Sequence, residues 1–111
     1  MARGDVLLIL FPMPAHSHEQ EGYRPALEVQ DTNPLLPTTM VIPFTSSLGA
    51  ARFPHSLLVQ PSAENGLDVP SVLMVFQLRA IDKSRIDKRI GQIESSHLRT
   101  IESEMKALLG L

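Results

Sequence analysis

Three residue types in two short stretches carry the chemistry that this sequence offers: an arginine, a threonine and a serine. Arg24 closes the polar stretch His18-Glu19-Gln20-Glu21-Gly22-Tyr23 and is followed by Pro25. Proline biases the residue before it toward extended backbone and removes one strand donor. Arg24 therefore stands at the mouth of a strand, where a loop meets a rigid element and proteins tend to place working side chains. Thr45 and Ser46 close a second apolar run. If the two runs pair as an antiparallel hairpin, the start of one lies beside the end of the other. Arg24 and Thr45 then share one rim. A guanidinium beside a hydroxyl suits a phosphate and the charge that develops on it. Glu19, upstream in the loop, adds a carboxylate, and Ser46 a second hydroxyl or backbone donor. From spacing alone the blander assignment stays open, with Arg24 a solvated strand-start residue and Thr45 and Ser46 turn formers.

Other chemistries find less support. His16, His18 and Glu19 are near neighbours, but a zinc site needs further ligands that the sequence does not supply. They read as solvated loop residues, and no metal is expected. Cysteine is absent, which removes thiolate sites and disulfides and fits a reducing cytoplasm. Neither a dinucleotide fingerprint, a phosphate-binding P-loop nor a nucleophile elbow occurs, so no cofactor is expected.

The elements that must position these residues follow from periodicity. Asp5 to Phe11 is a continuous apolar run, the pattern of a strand buried on both faces. Strand two is expected from Tyr23 to Gln30, with Leu27 and Val29 on one face and Glu28 and Gln30 on the other. Strand three covers Thr38 to Phe44, and Pro43 inside it suggests an edge or a bulge. Strand four runs from His55 to Gln60, and Asn65-Gly66 marks the next turn. Strand five is expected from Ser71 to about Ile81, its second half alternating with Gln77 and Arg79 opposite Phe76, Leu78 and Ala80. Asp82 to Arg85 is a polar turn, and Ile86 to Ile93 a weaker strand interrupted by Gly91. Ser95 or Ser96 can cap a final helix. Its apolar stripe is Leu98, Ile101, Met105, Leu108 and Leu109, and Gly110 ends it. The fold class is mainly β with a C-terminal helix, a small bent sheet or partly open barrel.

With 111 residues and 43 % hydrophobic content, the chain is one domain with a modest core. The run from Val6 to Phe11 is far short of the roughly 20 apolar residues that span a membrane, so no membrane partner is expected. A net charge of −2 argues against a protein that coats nucleic acid through an overall basic field. A nucleic-acid partner would need a local patch.

Taken in order, several blocks resemble the MazF/PemK family of toxin endoribonucleases. They are Gly4-Asp5-Val6, His18 through Leu27, Pro43-Phe44-Thr45-Ser46-Ser47-Leu48, Asn65-Gly66-Leu67, Ser71-Val72, Gln77 through Arg85, and the C-terminal helix ending Leu108-Leu109-Gly110-Leu111. The resemblance implies an SH3-like, partly open barrel of five to seven short strands, assembled as a homodimer. It implies sequence-specific, metal-independent cleavage of single-stranded RNA by 2′-hydroxyl attack, and a cognate antitoxin as partner. Arg24 and Thr45 match the family's catalytic arginine and threonine. Glu19 matches a loop position that often carries Glu, an auxiliary beside Ser46. Gln77 and Arg79 are candidates for the RNA groove or the dimer contact. Two departures stand out. Glu28 falls where the family carries an aliphatic residue, and the pI of 6.0 is low for an RNA cutter. Two rival functions share the resemblance: a non-catalytic toxin of the same fold that poisons gyrase, and an inactive interaction protein.

Overall fold

A computed structural model of the chain describes residues 2–11 and 22–111. Seven strands and a helix follow one another in the described residues. They are β1 (Asp5–Leu10), β2 (Tyr23–Glu28), β3 (Thr38–Thr45), β4 (Ser56–Val59), β5 (Ser71–Met74), β6 (Arg79–Asp82), β7 (Ile86–Gln92) and α1 (Ser95–Leu109). Every pairing is antiparallel, in the order β4-β5-β3-β2-β1-β7, with β6 also on β3. This is the mainly β fold with a C-terminal helix that the periodicity predicts.

The continuous apolar runs of β1 to β3 exist because both faces of these strands are buried. One face sends Val6, Leu27, Ile42 and Phe44 into a core that α1 closes with Ile101, Leu98, Met105 and Leu108. The other sends Leu7, Ile9, Ala26 and Val41 into a second core, covered by Ile81 of β6 and Ile86 of β7. The sheet folds over itself, so alternation cannot divide these strands into a wet and a dry side.

Glu28 lies on the face opposite Leu27, as alternation expects, and that face is buried. The residue is 1 % exposed, and its carboxylate accepts a 2.6 Å hydrogen bond from the hydroxyl of Thr39, also 1 % exposed. The second carboxylate oxygen, Oε1, meets no hydrogen-bond partner among the described residues. β2 also ends at Glu28, two residues before the expected Gln30.

Pro43 is not on an edge. β3 pairs with β2 on one side through Ala26↔Pro43, Leu27↔Ile42 and Glu28↔Val41. On its other side it pairs with β6 from Thr38 to Val41 and with β5 at Phe44 and Thr45. Pro43 sits in the gap where that second partner changes. A residue without a backbone donor fits there because no ladder bond is asked of it.

The expected fifth strand is two strands. The 3-10 turn Val75–Gln77 separates β5 from β6 and lets one chain pair with β3 twice, at its two ends. β7 runs through Gly91 without a break, and β1–β7 carries register shifts between Val6 and Leu7 and between Leu8 and Ile9. Helix α1 is capped by neither serine: its N-cap is Glu94, whose carboxylate accepts instead from Ser62 Oγ at 2.6 Å and Asn65 Nδ2 at 3.0 Å. Gly110 ends the helix in the left-handed region at φ 71°, as glycine does best. Leu109, expected on the packing stripe, is 56 % exposed.

Candidate active site

The β2–β3 register decides where Arg24 and Thr45 lie. Continued two residues past Ala26↔Pro43, it sets Arg24 opposite Thr45. Both are half-buried. They line one cleft of about 330 Å³ together with Tyr23, Pro25, Phe44, Ser46 and Ser47. Its third wall is the segment Leu67-Asp68-Val69 with Ser71. β5 brings that wall in: Thr45↔Val72 pairing puts the start of β5 beside the end of β3.

Thr45 is prepared for donation. Its Oγ1 accepts the backbone N–H of Ser47 at 3.1 Å. A hydroxyl has one donor and two acceptor positions, so this bond fixes the oxygen and leaves the O–H to point at a ligand. The same bond closes the short turn that carries Ser46 and Ser47 along the cleft floor.

The third wall is held by a buried side chain. Asn65 is 0 % exposed. Its Oδ1 accepts from Ser62 N and Leu67 N, both at 3.0 Å, and its Nδ2 donates to Gln60 O at 2.9 Å and to Glu94. Gly66, at φ 73°, lies directly against the backbone of β7, where a Cβ would fall 2.7 Å from the Ile90 carbonyl carbon. Gly91 faces back: a Cβ there would fall 2.6 Å from the Glu64 carbonyl oxygen. Two backbones touch at two glycines, and the wall of the cleft is fastened to β7 and to the start of α1.

The other expected site residues fall elsewhere. Glu19, with His16 and His18, lies outside the described residues. Gln77 is exposed on the Val75–Gln77 turn and does not line the cleft. Nor does Arg79, whose guanidinium stacks 5.2 Å from the ring centroid of Phe11 at the end of β1. No group of three or more His, Asp or Glu that could hold a metal ion occurs among the described residues. Sequence reading missed Asp68, Tyr23, Ser47 and Ser71 as cleft residues. Asn65-Gly66 was the one signal pointing to the third wall, and it marks a turn without saying what the turn faces.

The chain and its fold match known proteins over nearly the whole sequence. The family model for PemK-like, MazF-like toxins of type II toxin–antitoxin systems matches residues 2–109. The chain belongs to this family. The MazF-like chain is 31 % identical to the endoribonuclease MazF of Staphylococcus saprophyticus, covering 100 % of itself and 92 % of that protein. It is also 31 % identical to the endoribonuclease MazF of Staphylococcus epidermidis, covering 98 % and 91 %. Among solved structures it superposes on MazF from Deinococcus radiodurans with a TM-score of 0.77, at 25 % identity and with 100 % and 97 % of the chains covered. A MazE–MazF complex from the same organism gives 0.76, at 25 % identity, with 100 % and 96 % covered. The expectation of a toxin-family endoribonuclease agrees with these relatives. No helix among the described residues is long and apolar enough to cross a membrane.

Proposed function

We propose that this MazF-like chain is the toxin of a toxin–antitoxin pair and cuts single-stranded RNA, mRNA included, at a short sequence without a metal ion. The observation that carries the reading is the convergence of Arg24 and Thr45, from adjacent strands, in one cleft. The 2′-oxygen of one nucleotide attacks its own 3′-phosphorus and loses its proton. The bond from phosphorus to the 5′-oxygen of the next nucleotide breaks, and that oxygen takes up a proton. The products are a 2′,3′-cyclic phosphate and a 5′-hydroxyl. Arg24 holds the charge growing on the non-bridging oxygens, and the Thr45 hydroxyl donates to one of them. Donors set in place before the charge develops act without reorganisation, and loss of one costs about 10²–10³ in kcat. Ser46 offers a further donor, and Glu19 is an auxiliary carboxylate at the loop.

The functional unit we propose is a homodimer, silenced by a small antitoxin whose acidic or hydrophobic tail covers this cleft. The naming of MazE–MazF complexes among the similar structures supports a protein partner of this kind.

The test is to incubate the purified protein with a long single-stranded RNA in EDTA and map the new ends. Discrete cuts with 5′-hydroxyl ends are expected. Thr45→Val should cut about 10²–10³ times more slowly at an unchanged melting temperature, and Thr45→Ser should recover most of the rate. An Arg24→Ala variant that cuts as well as the wild type refutes the site. No cutting, with gyrase trapped on DNA instead, refutes the nuclease.

A further inference from the structure

Among the described residues, two charged ones line the cleft, and they have opposite signs: Arg24 and Asp68. Arg24 and the hydroxyls of Thr45, Ser46 and Ser47 suit a phosphate, while Ser71 donates its proton to the Val69 carbonyl at 3.0 Å. Asp68 does not suit a phosphate. Its carboxylate only accepts hydrogen bonds, and its charge repels a phosphodiester at close range. In a cleft that takes RNA, a group of this kind has to face something that donates.

The surroundings of Asp68 say which part of a nucleotide that is. Tyr23 and Val69 line the same cleft and are 44 % and 48 % exposed. An aromatic ring and an aliphatic side chain in contact with water are what a splayed-out base covers when it leaves its stack. The cleft, at about 330 Å³, lies at the small end of ligand clefts, roughly 300–1,000 Å³, and so takes one nucleotide rather than a stretch of them. Asp68 is also held steady from behind. Leu67, next to it, is 7 % exposed, and its N–H is fixed on Asn65 Oδ1. Asp68 thus stands on an anchored wall of the cleft that also holds Arg24 and Thr45.

The geometry points to Asp68 as a base-reading residue that selects, at one subsite next to the scissile phosphate, a base with an amino donor and rejects uracil. The inference rests on the RNA-cutting reading above and sharpens its specificity. Guanine presents an imino and an amino donor side by side to one carboxylate. Cytosine and adenine each present one amino group. Uracil presents a single N–H between two carbonyl oxygens, and those oxygens repel the carboxylate. Discrimination by a well-placed side-chain pair of this kind amounts to about 5- to 100-fold.

The test is the base composition at the ends made from a random-sequence RNA pool by wild type and by Asp68→Asn. Asn keeps the shape but offers both a donor and an acceptor. Wild type is expected to show uracil depleted about 5-fold or more at one position flanking the cut. Asp68→Asn should lose that depletion at that position alone. Two results overturn the inference: uracil accepted at every flanking position by wild type, or a uniform change of rate in the variant with the composition unchanged. The second would make Asp68 part of the bond-breaking step. If the wild type cuts nothing, the nuclease reading fails, and binding still decides the role of Asp68. Fluorescence anisotropy with oligo(C), oligo(A) and oligo(U) would show oligo(U) weakest for wild type and that gap closed in Asp68→Asn. Equal affinities in wild type would overturn the inference independently.

Discussion

The Glu28–Thr39 pair offers a stability experiment whose signs are fixed by the structure. Both side chains are 1 % exposed, and one 2.6 Å hydrogen bond joins them. They sit at the end of the second core, on the register that sets Glu28 beside Val41 and Thr39 beside Ile81. The carboxylate keeps one partner on Oε2 and none on Oε1 among the described residues. Thr39→Val changes the shape little and takes that one partner away. A buried polar group left without its bond costs about 1–3 kcal/mol, and hydrogen bonds to charged groups lie at the upper end of that range. About 2–3 kcal/mol of destabilisation is expected, a large share of the roughly 5–15 kcal/mol that holds a domain of this size. Glu28→Met leaves the buried Thr39 hydroxyl unpaired but also removes the unpartnered Oε1, so it should cost less than Thr39→Val, about 1 kcal/mol. The double variant removes both polar partners and should match or exceed wild type, because an apolar pair of similar shape often does as well as a buried polar one. The signature is a non-additivity of roughly 2 kcal/mol or more. Urea unfolding at one fixed protein concentration measures it, with the m-value required to stay constant. A Thr39→Val variant within about 0.5 kcal/mol of wild type, or an additive double variant, refutes this account of the pair.

Two further outcomes follow from local geometry. Gly66 and Gly110 share nearly the same left-handed φ, 73° and 71°, but only Gly66 has backbone against the place a Cβ would take. Gly110→Ala should cost about 1–2 kcal/mol, the conformational penalty alone. Gly66→Ala should cost that plus about 1–3 kcal/mol of overpacking, and its melting temperature should fall further by at least several degrees. Equal melting temperatures would deny the backbone contact between the third wall and β7. Asp82 supplies the pH case. Its carboxylate accepts the Ser84 backbone N–H at 2.8 Å, and this bond, with the Ser84 hydroxyl and the nearby Arg85 guanidinium, holds its pKa below the ordinary carboxylate value. A depressed folded-state pKa means stability that is present above the unfolded pKa and lost as pH falls through the folded one. Wild type should therefore melt higher than Asp82→Asn at neutral pH, and the gap should shrink as the solution is acidified below the carboxylate range. A gap that widens on acidification has the wrong sign.

What could be read from the sequence was local, and what could not was a matter of who packs against whom. The Arg24–Thr45 rim was legible because a hairpin between neighbouring runs needs no knowledge of the rest of the chain. Asp68 was not, because it reaches the cleft only through the pairing of β5 with β3, a contact between distant segments. Alternation placed Glu28 opposite Leu27 correctly but could not show that β6 and β7 cover that face. The single long strand from Ser71 to Ile81 kept its alternation on paper across residues that form a 3-10 turn. Periodicity reports which residues are apolar and is blind to a chain that turns a corner between them. Glu94 takes the N-cap position without a side-chain cap bond, because its carboxylate is held by Ser62 and Asn65, distant residues that a capping pattern does not register.

The place of Pro43 has a mechanical consequence. β3 is shared by two sets of neighbours, and Pro43 marks the joint between them. On the far side of that joint, β4, β5 and the end of β3 carry Thr45 and Ser71, while Arg24 stands on β2. Phe44, Val59, Leu73 and Val75 nevertheless pack into the same core as Val6 and Leu27, so both sides of the joint rest on one set of side chains. The two sides of the cleft are therefore held together by a shared core where the ladder on that side is interrupted. The spacing of Arg24 and Thr45 is thus set by core packing as much as by strand pairing.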